Sequence, residues 1–113
     1  MYLNNAGAGD TGIHFRANTA DYSIRATDSS ELLFEDDAVE RMRISSAGLV
    51  GIGTSAPALP LHISSATPAI RLTDTDDNSD AQIGAAAGGL LVFDADIGNE
   101  AAGSAILFRV DGS

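Results

Sequence analysis

The sequence predicts an all-β protein of short strands with little or no helix. Three observations carry that expectation. Apolar residues alternate with a period of two rather than 3.6. The alternating runs are short and recur about every ten residues. Between them lie Gly, Asp, Asn, Ser and Thr, the residues that build turns.

Taken in order, Ile13 and Phe15 alternate with His14 and Arg16, and Tyr22 and Ile24 with Ser23 and Arg25. Leu32 and Phe34 alternate with Leu33 and Glu35, and Met42 and Ile44 with Arg41 and Arg43. Further along come Leu61 and Ile63, Ile70 and Leu72, Leu91 and Phe93, and finally Ile106, Phe108 and Val110. Helix has few openings. Ala85–Ala87 runs into Gly88 and Gly89, and the 12 glycines are spread along the chain. Asp36–Met42 has room for one helical turn, but the Arg-Met-Arg-Ile alternation that closes it reads as strand.

The order of apolar blocks repeats, which divides the chain into a first β unit (1–48), a connector (49–68) and a second β unit (69–113). The first runs from Gly12-Ile13-His14-Phe15-Arg16 through Leu32-Leu33-Phe34-Glu35-Asp36 to Arg41-Met42-Arg43-Ile44. The second runs from Ala69-Ile70-Arg71-Leu72 through Leu90-Leu91-Val92-Phe93-Asp94 to Leu107-Phe108-Arg109-Val110. In the connector, Gly51 and Gly53 flank Ile52, and Pro57, Pro60 and Pro68 interrupt any long ladder. It reads as an extended, bent segment with Leu61-His62-Ile63 pairing as a short strand.

Composition limits what such a chain does. Leu, Ile, Val and Phe make up 27 of the 113 residues, above the disordered range, while 19 Ala fill much of the apolar remainder. A thick core is out of reach, and burial against copies of the same chain is the natural remedy. The net charge is −10, with sixteen acidic and six basic residues. That balance argues against nucleic acid and against anionic membrane surfaces, both of which require cations. All six cations are Arg, whose planar fork suits ordered pairing with carboxylates. There is no Cys, hence no disulfide framework and no thiolate metal site. No run approaches the ~18 apolar residues of a membrane-spanning helix. Met1–Gly12 lacks the basic start and apolar core of a secretion signal.

One stretch is distinctive. Arg41-Met42-Arg43-Ile44-Ser45-Ser46-Ala47-Gly48-Leu49-Val50-Gly51-Ile52-Gly53-Thr54-Ser55-Ala56-Pro57, followed by Leu61-His62-Ile63, resembles a phrase that recurs in bacteriophage tail fibre proteins. Leu33-Phe34-Glu35-Asp36-Asp37 upstream resembles the usual lead-in. The close match covers about 30 residues, and similar phrases occur in other virion fibres and in some bacterial surface repeats. The resemblance implies an elongated, intertwined homotrimer with strands from three chains around a common axis. In it, Gly51 and Gly53 allow close backbone approach, Ile52, Leu61 and Ile63 supply the axis, and Pro57 fixes the chain direction. It also implies location on an extracellular phage particle, with other virion tail or capsid proteins and a host surface glycan or protein as partners. The chain stops where another Val-Gly-Ile-Gly-Thr phrase would be due, as in a segment of a longer fibre or a short accessory fibre protein.

Sites of chemistry read weakly beside this. Asp74-Thr75-Asp76-Asp77-Asn78-Ser79-Asp80 has oxygen ligands at alternate positions, as a calcium loop requires. It departs from the EF-hand, with Ser79 in place of the turn glycine and Ala85 in place of the final glutamate, so a solvated hairpin turn is the preferred reading. Glu31, Glu35, Asp36, Asp37, Glu40 and Glu100 supply carboxylates for a glycosidase, but such a site needs aromatic sugar platforms, and the chain has no Trp and two Tyr. His14 and His62 have no Gly-x-Ser-x-Gly elbow to serve. Both alternate with apolar residues and belong on the opposite strand face. The glycine runs Gly7-Ala8-Gly9 and Gly88-Gly89 have no following Lys and are not phosphate loops. The expectation is therefore a non-enzymatic virion fibre segment without catalytic residues, metal or cofactor, used for host attachment or spacing. The alternatives are a capsid head fibre or decoration protein and a bacterial surface adhesin repeat.

Overall fold

The computed structural model describes residues 9–16, 18–96 and 105–107. Its regular elements are all strands: β1 (Thr11–Arg16), β2 (Asp21–Ala26), β3 (Leu32–Asp36), β4 (Val39–Ile44), β5 (Val50–Ile52), β6 (Leu61–Ile63), β7 (Ala69–Thr73), β8 (Asp80–Ala86) and β9 (Leu90–Ala95). No helix occurs among the described residues. The protein is all-β, as its period-two alternation predicts. The chain divides into two compact units, Met1–Ser65 and Ala66–Ser113. The first holds a sheet in the order β1-β2-β3-β4-β5-β6, the second a sheet in the order β7-β8-β9. β5 and β6, which lie in the expected connector, are thus the last two strands of the first sheet. Of the final alternating run, Ala105–Leu107 is irregular, and Phe108–Val110 lies outside the described residues.

Turn chemistry explains why the strands stop where they do. Two hairpins use the same three-residue loop. Thr27 N–H donates to Glu31 O (2.9 Å) and Ser30 N–H to Thr27 O (3.0 Å), with Ser30 at φ 62°. Likewise Ser45 N–H donates to Leu49 O (2.9 Å) and Gly48 N–H to Ser45 O (2.8 Å), with Gly48 at φ 78°. In each, the opening hydroxyl accepts a backbone N–H four residues on, from Glu31 (3.2 Å) and from Leu49 (3.1 Å). A type I turn followed by one left-handed residue has this pattern. β3 and β4 are joined by only Asp37 (φ 49°) and Ala38 (φ 61°), both left-handed as a type I′ turn requires. The residues with room for a helical turn therefore reverse the chain instead. Ala85 and Ala86 lie in β8.

β5 and β6 pair in parallel through a crossover of residues 53–60. Parallel neighbours usually need a dozen or more connecting residues. Here each strand has three residues, about 10 Å, and eight residues reach about 26 Å when extended. Val50 N–H donates to Pro60 O (2.9 Å) and Gly53 N–H to Arg41 O (3.0 Å), which ties both ends of the crossover to the sheet.

The two sheets share a register. In the first, Ile13 pairs with Ile24 and Ile24 with Phe34; in the second, Ile70 pairs with Ile83 and Ile83 with Phe93. Asp37 N–H donates to Asp21 O (2.8 Å), and Asp96 N–H donates to Asp80 O, with both donor residues at positive φ. Ser23 Oγ–H donates to Glu35 (2.8 Å) where Gln82 Nε2–H donates to Asp94 (2.9 Å).

Candidate functional site

Side chains alternate across a strand, so the register assigns each residue of the first sheet to a face. One row reads Ile13, Ile24, Phe34, Met42, Ile52 and Ile63 across all six strands. The next reads Thr11, Ala26, Leu32, Ile44, Val50 and Leu61. Phe15 and Tyr22 begin a third row beside Asp36 and Val39. This apolar face is open: Phe15 is 55% exposed, Tyr22 53% and Leu61 50%, with Ile13, Ile24, Ile44 and Ile52 exposed as well. Beside the third row, Arg41 Nη2 reaches Asp36 Oδ2 at 2.9 Å.

The opposite face reads Gly12, Arg25, Leu33, Arg43, Gly51 and His62, with His14, Ser23, Glu35 and Glu40 beside them. The buried residues among those described are Ser23, Leu33 and Gly51, and all three lie here. Leu33, the buried hydrophobic at 4% exposure, sits between Arg25 and Arg43 on the neighbouring strands. The aliphatic stems of those arginines cover it while their guanidinium groups remain paired. Arg25 donates to both carboxylate oxygens of Glu35 (Nη2 2.5 Å, Nε 3.0 Å) and to Asp10. Arg43 forks onto Glu40 (2.8 and 2.6 Å) and also reaches Glu31 (2.6 Å). A bulge between Phe34 and Glu35 in the β3–β4 ladder shifts the register by one residue, which brings Glu40 onto this face. The hydrogen bond from Arg25, joined by that from Ser23, holds the Glu35 carboxyl below its ordinary range. Bonding to Glu35 and to Glu40 raises the Arg25 and Arg43 guanidinium groups respectively.

The crossover lies over this polar face. A Cβ on Gly51 would stand 2.6 Å from the Thr54 carbonyl oxygen, and Ala58 N–H donates to His62 Nδ1 at 3.3 Å. Gly53, at φ 70°, would carry a Cβ straight into the Ser64 carbonyl. Both glycines therefore sit at close backbone approaches within one chain. Of the residues to which the fibre resemblance gives a structural role, Ile52, Leu61 and Ile63 share the apolar face. Gly51 belongs to the polar face, Gly53 to the turn leaving β5, and Pro57 is half-buried in the crossover.

The remaining candidates are dispersed. Asp74–Ser79 closes the β7–β8 hairpin, with Asp74 N–H donating to Ser79 O (2.9 Å). There Asp74 accepts from Asp76 N–H and Asp77 from Ser79 N–H, each at 2.9 Å. The contacts from Ser79 lower the Asp77 carboxyl. Among the described residues no three His, Cys, Asp or Glu side chains are grouped to hold a metal ion, and no helix is long and apolar enough to cross a membrane. Glu31, Glu35, Glu40 and Asp36 are engaged by arginines, and Asp37 accepts Asp21 N–H at 3.1 Å. Glu100 lies outside the described residues, as do Gly7, Ala8 and Arg109. His14 lies on the polar face, 3.3 Å from Asp21, which Arg16 also reaches at 3.1 Å. Arg71 pairs with Asp80 at 2.5 Å. Sequence alternation separated the two faces but carried no sign of which one the chain closes by itself.

No protein-family model matches this chain. No curated protein sequence matches it either.

Proposed function

We propose that this chain is a structural segment of a bacteriophage tail fibre, an elongated and intertwined homotrimer on the outside of the virion. The observation that carries the reading is the open apolar face of the first sheet. A six-stranded sheet that completes its polar face and leaves two apolar rows in water requires a partner for those rows. Copies of the same chain supply it, with three apolar faces turned toward a common axis. The fibre-like phrase supports the assignment, since Arg41–Pro57 and Leu61–Ile63 span β4, β5, the crossover and β6. Ile52, Leu61 and Ile63 then line the axis, while Gly51 and Gly53 seat the crossover away from it. The role is mechanical: the segment spaces the tip of the fibre from the particle, or presents its hairpin loops to a host surface glycan or protein. It involves no catalytic step, and its other partners are virion tail or capsid proteins.

The test is the absolute mass of the full chain in solution, by light scattering after size exclusion. A mass of three times 11.5 kDa that resists dilution supports the proposal. A folded species of single-chain mass overturns it.

A further inference from the structure

We infer that the third row of the first sheet's apolar face binds a neutral pyranose sugar, with Phe15 and Tyr22 as its stacking platform. The inference rests on the fibre reading only for the source of the sugar, a host surface glycan. The site is an open groove of about 530 Å³ lined by Phe15, Tyr22, Phe34, Asp36 and Arg41. That size lies within the ~300–1,000 Å³ of small-molecule sites.

Three observations support it. First, Phe15 and Tyr22 stand directly opposite each other on β1 and β2, and each is more than half exposed. The electron-rich faces of two adjacent rings suit the C–H face of a pyranose. Second, a bulge builds the polar wall. Phe34 pairs with Met42 and Glu35 with Glu40, so Arg41 has no residue opposite it. A bulge re-aims a side chain, and here it sends Arg41 to Asp36 instead of to the carboxylates of the polar face. One hydrogen bond joins the two, at 2.9 Å. Among the described residues, Asp36 Oδ1, the other guanidinium N–H groups and the Tyr22 hydroxyl then stay available. Donors and acceptors side by side match adjacent sugar hydroxyls, each of which both donates and accepts. Third, charge selects a neutral ligand. The chain's −10 repels an acidic sugar, and Arg41 beside the rings repels a cationic group. The row is also poorly suited to the trimer axis, since it ends at β4 and its ion pair would be costly to bury dry.

The test is saturation-transfer NMR on the full chain with the methyl glycosides of glucose, galactose, mannose and N-acetylglucosamine. The acidic methyl glycoside of N-acetylneuraminic acid serves as comparison. The expected result is saturation of the ring C–H protons of at least one neutral glycoside. Tyr22→Leu, which keeps an apolar strand residue, and Arg41→Gln each weaken that binding about tenfold, whereas Leu91→Ala on the second sheet leaves it unchanged. Failure of every neutral glycoside to bind, stronger binding of the acidic one, or binding that Tyr22→Leu leaves intact overturns the inference. Phe15→Leu removes the other ring and decides the matter if Tyr22→Leu does not fold. A negative result with a three-chain mass leaves the fibre proposal standing, whereas sugar binding by a species of single-chain mass overturns that proposal and keeps the site.

Discussion

The two faces of the first sheet are made by the same six strands and reach opposite outcomes. On the polar face a single leucine, two arginine–carboxylate clusters and a short crossover leave Leu33, Ser23 and Gly51 buried. On the apolar face, rows far richer in large hydrophobics remain in water. Hydrophobic content does not decide burial in a single-layer sheet. Burial requires a cover, and here only the polar face brings one. Long arginine stems, held down by forked hydrogen bonds, do for Leu33 what a second layer would otherwise do. The apolar rows have no such cover from their own side chains, which is the physical content of the trimer proposal.

The sharpest way to break this contrast is Ile24→Asp, at the centre of the apolar face. If that face is buried between copies, the charge weakens assembly at least a hundredfold, about 3 kcal/mol or more, and sedimentation shows single chains. If the face works exposed, the same change moves stability by no more than ~0.5 kcal/mol. Next in size is Leu33→Ala on the other face, expected to cost about 2–3 kcal/mol in urea unfolding. A loss near zero would mean that the arginine stems do not bury it. Gly51→Ala should cost about 1–3 kcal/mol, because the new methyl meets the Thr54 carbonyl and the crossover must move. Hydrogen exchange at Ala58, bonded to His62, would locate that movement.

The smallest expected effect is at Glu35, and it is visible through pH. Its folded carboxyl lies below the ordinary glutamate pKa. Its contribution is therefore complete above that pH and is lost as pH falls through the lowered folded value. Glu35→Gln should cost on the order of 1 kcal/mol at pH 7 and flatten the acid limb of a stability–pH curve. An acid limb unchanged by the substitution would show that the Arg25–Glu35 pair does not contribute to folding.

Much of the fold is legible in the residues. Period-two alternation marks seven of the nine strands, all but β5 and β8, and separates Ile13, Ile24, Phe34, Met42 and Ile63 from the arginines, because strand geometry fixes the side of each side chain. Ser45–Leu49 is readable as a turn through Gly48, whereas the turn at Asp37-Ala38 is obscured because Ala stands where Gly would announce it. The repeat is readable as an order of apolar blocks. The structure adds that the blocks pair in the same register and that Asp21 and Asp80 accept equivalent hydrogen bonds from Asp37 and Asp96.

Three features were decided only in three dimensions. The bulge beside Glu35 brings Glu40 to Arg43, and no local pattern announces a one-residue slip. The segment 49–68, extended and bent in sequence, contributes two strands to the first sheet, because parallel pairing joins residues eleven apart in the chain. Above all, sequence alternation defines two faces without ranking them. Which face is closed depends on where arginine stems, the crossover and paired carboxylates converge, and those are contacts between strands distant in the chain.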